Sequence, residues 1–201
     1  MDTAENKRSV SKYEKYDVEK ITIGALALFS WKGLAVKIDE IAIACGISKG
    51  LIYNHYQSKD DLIADLILKV GAECNRILLD CAVIDETAAG KFHSISDFVC
   101  RIVSEVSYEI EYPLFVLQAR LSGFEMLDGS WDSTYTPNVV LSIAQIIAQG
   151  QNEGTVIQGD PNQLAFAYWC TIQGLCSYAA TGIPISPESI WLNRIVLKEV
   201  S

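Results

Sequence analysis

No apolar run in this chain of 201 residues approaches the roughly 18 residues needed to cross a bilayer, and Met1 to Lys20 is charged rather than signal-like. A cytoplasmic protein with no membrane partner is the expectation. The six cysteines (Cys45, Cys74, Cys81, Cys100, Cys170, Cys176) form no C-x-x-C pair, and two histidines, His55 and His93, add no zinc spacing. No metal or cofactor is expected. The cysteines read as small buried apolar groups, with a thiol sensor as the alternative. No alternating strand pattern and no internal repeat occur, and proline is absent before residue 113. Without strands, nothing can lead into a nucleophile elbow, a phosphate loop or a dinucleotide fingerprint. These absences leave an all-α chain that is not expected to be an enzyme. A small helical enzyme using a cysteine or carboxylate is the weakest reading.

What is present starts with apolar bulk. Half the residues are hydrophobic and mean hydropathy is +0.20, which points to an apolar interface beyond the core. Charge is divided unevenly. Residues 1 to 59 hold nine Lys/Arg against seven Asp/Glu, a balance of +2, whereas residues 60 to 201 hold seven against eighteen, a balance of −11. A weakly basic head on an acidic body fits a polyanionic partner at one end only, although an acidic surface also serves solubility.

The most informative stretch is residues 33 to 59. Ile38, Ile41, Ala42 and Cys45 fall at i, i+3, i+4 and i+7, and Asp39 and Glu40 sit in the first turn of the short helix this implies. Gly46 can close that helix in the left-handed conformation, and Ser48 can cap the next one. In that second helix Ile47, Leu51 and Ile52 supply an apolar anchor, while Ser48, Lys49, Gly50, Tyr53 and Asn54 offer small, cationic and hydrogen-bonding groups. A glycine inside a helix costs about 1 kcal/mol against alanine, so Gly50 implies a close approach to the backbone. The N-terminal part of a recognition helix in a DNA major groove is such a situation.

The run Ile21-x-x-x-Ala25-x-x-Leu28-Phe29-x-x-x-Gly33 followed by Ile41-Ala42-x-x-Cys45-Gly46-Ile47-Ser48-Lys49-Gly50-x-Ile52-Tyr53-x-His55-Tyr56-x-Ser58-Lys59-x-x-Leu62 resembles the DNA-binding domain of the tetracycline-repressor (TetR) family of bacterial regulators. The match covers about residues 14 to 74. It implies that Ser48, Lys49, Gly50, Tyr53, Asn54 and His55 face double-stranded operator DNA and that Lys59 grips phosphate. Lys37 stands where the family usually has a capping threonine, so phosphate can still be held by charge but the cap is lost.

The expected architecture is a homeodomain-like three-helix head, residues 1–57, on a helical body, residues 58–201, with about nine helices in all. Residues 1 to 13 read as an unfixed arm carrying Lys7, Arg8 and Lys12, and a first helix runs from about Val18 to Trp31 around Phe29. Ser58 caps a fourth helix to about Cys81, which belongs to both parts and is the expected mechanical link. A fifth begins near Ser94, after a connection over 82 to 93. Pro113, Pro137, Pro161 and Pro187 mark further starts, the last two behind the caps Asp160 and Ser186, and Gly154 and Gly182 suit helix ends. The eighth helix, Asp160 to about Ala180, carries the small residues Ala165, Ala167, Gly174 and Ala179. A ninth is apolar around much of its girth, with Ile190, Trp191, Leu192, Ile195, Val196 and Leu197. Pairing of these last two helices in a homodimer would bury that surface, and the resemblance implies it too.

For an effector pocket the candidates are Phe115, Arg120, Phe124, Trp131, Tyr135, Tyr168 and Trp169, each with core packing as the alternative and, for Arg120, an ion pair or surface position. Glu105, Glu109 and Glu125 are available to a cation, with an Arg101 pair as the plainer role of Glu105. The reading is a dimeric repressor released from a palindromic operator by a small, largely apolar effector. The alternative is a non-enzymatic co-regulator that has lost specific DNA reading.

Overall fold

The computed structural model describes residues 4–124, 137–183 and 187–198. Among the described residues there are nine α-helices: α1 (Ala4–Lys32), α2 (Ile38–Cys45), α3 (Lys49–His55), α4 (Lys59–Ala82), α5 (Ala88–Glu105), α6 (Glu111–Leu121), α7 (Pro137–Glu153), α8 (Pro161–Ala179) and α9 (Ser189–Asn193). A 3-10 turn, Tyr108–Ile110, joins α5 to α6. None of these helices is long and apolar enough to cross a membrane.

The short helices begin and end where their caps dictate. Gly46 sits at φ 60°, ψ 42°, and its turn sends the chain into Ser48, whose hydroxyl accepts the Leu51 N–H at 3.2 Å. At α4 the exchange is reciprocal, with the Asp61 N–H on Ser58 Oγ and the Ser58 N–H on Asp61 Oδ2, each at 3.0 Å. At α2 only half of this motif can exist. Lysine has no acceptor to offer, so Lys37 caps nothing with its side chain, and its N–H donates to Glu40 Oε1 at 3.0 Å.

Two apolar clusters organise the molecule. One packs α1, α2, α3 and the first half of α4 around Phe29, Ile41, Ile52, Leu62 and Leu66. α6 inserts Phe115, Val116 and Ala119 into that same cluster, and the Phe29 and Phe115 rings stand 6.3 Å apart. The Ser30 hydroxyl also donates to the Glu111 carbonyl at 2.9 Å, and Trp31 Nε1 to Glu111 Oε1 at 3.0 Å. The second cluster fills the body between α4, α5, α7 and α8, with Phe92 edge-on to Tyr168 at 5.2 Å.

Three expectations need correction. α1 starts at Ala4, where an unfixed arm was expected. Residues 4 to 17 contain no glycine or proline to stop a helix, but no apolar stripe to announce one; the side chains of Lys7, Arg8 and Lys12 lie outside the described residues. α5 starts at Ala88, one turn and a half before Ser94, because the Thr87 hydroxyl caps it by accepting the Gly90 N–H at 3.1 Å. α9 is five residues rather than a long helix. It stops at Asn193, whose buried side chain accepts from the Ser96 hydroxyl at 2.6 Å and meets His93 Nδ1 at 2.8 Å. Beyond it Leu197 pairs with Val156 in an isolated antiparallel bridge, which turns Val196 into the core. Glu125, Trp131, Tyr135 and the Ser186 cap lie outside the described residues.

Candidate nucleic-acid interface

α3 is anchored from behind and open in front. Ile52 is fully buried, and the Tyr56 hydroxyl closing the helix donates to Asp65 Oδ2 at 2.6 Å, which fixes α3 on α4. Burial and that carboxylate push the Tyr56 phenol well above its ordinary range, so it stays a donor. Ser48, Lys49, Gly50, Tyr53 and Asn54 are all exposed, and His55 is half-buried. Five of the six α3 candidates therefore share one solvent face. Gly50 has no steric reason within the chain: a Cβ there would meet nothing closer than Ser48 Oγ at 3.9 Å. Tyr53 offers a ring edge and a hydroxyl, and Asn54 the donor–acceptor pair that matches an adenine edge.

The cations behave differently from one another. Lys37 is exposed at the start of α2. Lys49 is already paired, its Nζ lying 2.9 Å from Asp39 Oδ1 and 6.0 Å from the Tyr53 ring centre. The Asp39 hydrogen bond raises the Lys49 pKa, so the ammonium is secure, but a phosphate must compete with Asp39 for it. Lys59 is half-buried and donates to the Leu34 carbonyl at 2.7 Å and the Val36 carbonyl at 3.5 Å. It clamps the segment leading into α2 onto the start of α4. Residues 46 to 50 spell G-x-S-x-G, yet a helix rather than a strand leads into them and the serine hydroxyl is the α3 cap. No nucleophile elbow results.

The effector candidates are dispersed. Phe115 is fully buried where α6 meets α1, and Tyr168 is fully buried against Phe92 with its hydroxyl 3.0 Å from Ser96 Oγ. Arg120 is exposed and Phe124 packs on the head cluster. Trp169 lines a partly open apolar cavity of about 50 Å³ between α4, α5, α6 and α8, together with Phe98, Glu109 and Tyr112. Sequence reasoning missed Phe98 because it lies on a stripe that reads as core, and Tyr112 because α6 is apolar nearly all round. Five of the six thiols fit packing rather than sensing: burial raises Cys45, Cys74, Cys81 and Cys100, and pushes Cys176 up to about 12. Cys170 departs from the expected burial and is exposed on α8.

Residues 21–66 match the family described as bacterial regulatory proteins, tetR family. Over 75 residues the chain is 39% identical to an HTH-type transcriptional regulator of Bacillus subtilis (strain 168), YerO, itself uncharacterised. That stretch is 36% of this chain and spans about a quarter (25%) of the relative's length. In fold, a TetR family transcription regulator from Marinobacter aquaeolei VT8 superposes with a TM-score of 0.73 at 14% identity, covering 94% of this chain and all (100%) of that one. AibR, solved in complex with isovaleryl coenzyme A and operator DNA, superposes with a TM-score of 0.62 at 14% identity, over 83% of this chain and 95% of its own. Residues 21–66 thus carry the helix-turn-helix of the tetR family of bacterial regulatory proteins, on an all-helical fold shared with solved TetR family regulators.

Proposed function

We propose that this chain is a dimeric repressor whose α3 reads a palindromic operator and whose body releases DNA on binding a small, largely apolar effector. The observation that carries the DNA part is the α3 face: Lys49, Gly50, Tyr53 and Asn54 are exposed together, and the missing side chain at Gly50 serves nothing inside the molecule. Lys37 and Lys49 then meet phosphates and Tyr53 and Asn54 meet base edges, while Lys59 clamps the segment leading into α2 onto α4.

One short recognition helix per chain gives little specificity, so two heads are needed, on half-sites about one helical turn or a multiple apart. α8 presents a face for that pairing. Phe166, Ala167, Cys170, Gly174 and Tyr178 are all exposed along it, and Trp191 of α9 adds to the same surface property at 58% exposure. A Cβ at Gly174 would meet nothing within 4 Å, so that glycine, too, lacks a use within one chain.

In this reading residues 1–57 form the head and 58–201 the body, with two helices shared. α4 runs from Leu62 in the head cluster to Cys81 on the cavity, and α6 from Tyr112 and Pro113 on the cavity to Phe115, Val116 and Ala119 in the head cluster. A ligand that spreads the cavity moves both. AibR, with its coenzyme A thioester and operator DNA, is a relative in fold for which both ligands are known. The test is a gel shift with DNA from beside the encoding gene. A discrete complex lost with Tyr53→Ala is expected, and a smear unchanged by that substitution would favour the co-regulator instead.

A further inference from the structure

Where α5 hands over to α6, three irregularities fall within four residues. Val106 sits at φ 48°, ψ 46°, the left-handed region that a β-branched residue avoids, and is the one non-glycine residue at positive φ among those described. Ser107 Oγ and Glu109 Oε2 are the buried side-chain atoms without a hydrogen-bond partner among the described residues. Glu109 is thus held with one carboxylate oxygen sealed off and unpaired, at the wall of an apolar cavity.

Its other oxygen shows what would suit it. Arg101 brings a guanidinium nitrogen to 3.9 Å from Glu109 Oε1 and lays the guanidinium 5.1 Å from the centre of the Phe98 ring. That cation comes from an exposed side chain, which also reaches Glu105 at 3.5 Å. Outside Glu109 lies a second pocket of about 310 Å³, which shares Ile77, Cys81, Phe98, Glu109 and Tyr112 with the inner cavity. Glu73 and Asp80 stand in it too, with Arg76 bridging them at 2.6 and 2.5 Å. Together the two spaces enter the size range of small-molecule sites.

The chemistry of this wall selects by charge. An anion would face three carboxylates against the one lining guanidinium of Arg76, and a neutral ligand would leave Glu109 Oε2 without a partner. A small, strongly hydrated cation would gain nothing from Phe98, Tyr112 and Trp169. A lipophilic cation satisfies all of them, because it gives up little hydration and attracts both aromatic faces and the carboxylate. We propose that this pocket binds lipophilic organic monocations, with the positive centre between Glu109 and the Phe98 ring in place of the Arg101 guanidinium, and the apolar body reaching toward Trp169. The inference rests on the reading of this cavity as the effector site.

The test uses two ions of one shape and opposite charge, tetraphenylphosphonium and tetraphenylborate, titrated calorimetrically into the full-length protein. Tetraphenylphosphonium should bind at least tenfold more tightly than tetraphenylborate. Glu109→Gln should abolish most of that preference without lowering the melting temperature, since it removes a buried charge. Arg101→Ala, at an exposed position, should raise tetraphenylphosphonium affinity several-fold by removing the internal competitor. Equal binding of the two ions, no binding of the phosphonium, or full affinity in Glu109→Gln would overturn the proposal. The two readings fail separately. Phosphonium binding that needs Glu109 but leaves operator affinity unchanged removes the effector role and keeps the cation site. Operator release by tetraphenylborate at this cavity does the reverse.

Discussion

Gly50 separates folding from function at the scale of one residue. Because its Cβ position is open, Gly50→Ala should fold as well as the parent and gain up to about 1 kcal/mol from helix propensity. The same methyl group stands on the face assigned to DNA, so operator affinity should fall. Urea unfolding and fluorescence anisotropy read the two effects independently, and a parallel loss of both would mean that the glycine is structural. Asp39 acts in the opposite sense, because it holds Lys49. Asp39→Asn should tighten binding to DNA of any sequence and steepen its salt dependence, since it removes a negative charge and frees a cation for phosphate. Salt titrations on random DNA give the slope, and an unchanged slope would leave Lys49 outside the interface.

Among the elements, α6 carries the most consequential packing. Phe115→Ala should cost about 3–5 kcal/mol of stability, with the loss felt in the head although the residue belongs to the body. Glu111 gives this joint a pH dependence. Burial raises its carboxyl above the ordinary 4.5, partly offset by the Trp31 hydrogen bond. The folded state therefore holds that proton more tightly than the unfolded state does. The favourable contribution is present below pH 4.5 and is lost as pH rises through the raised folded value. Glu111→Gln keeps an acceptor for Trp31 and should flatten the thermal-stability profile across that window. A profile that superimposes on the parent would show the carboxyl to be well solvated. Which elements could be read from sequence follows from how local their causes are. Gly46, Ser48 and Ser58 act on their own neighbours, so α2 ends and α3 and α4 start where those residues place them. The end of α9 depends on Asn193 finding Ser96 and His93 about a hundred residues away. The packing of α6 on the head was hidden because that helix is apolar nearly all round and carries no stripe to orient it.

For the whole molecule, the charge division and the exposed α8 face make one prediction each. Sedimentation should give a dimer of about 44 kDa, twice the 22.2 kDa chain, and Ala167→Glu or Gly174→Glu should split it without unfolding it. A monomer at micromolar concentration would contradict the pairing. The acidic body cannot hold DNA, so affinity should rest on the heads and a few phosphate contacts. The exposed α3 face was legible in the sequence because it is one contiguous segment with its own caps. The cavity was not, since Phe98, Glu109, Tyr112 and Trp169 come together from three helices and the turn between two of them. The most direct test of the account is anisotropy of labelled DNA from beside the encoding gene, titrated with the parent and with Tyr53→Ala at several salt concentrations. The account predicts saturable binding of the parent at physiological salt, weakened by roughly 1 to 3 kcal/mol in Tyr53→Ala with the salt slope unchanged. Equal affinity of both proteins for that DNA and for random sequence would contradict it.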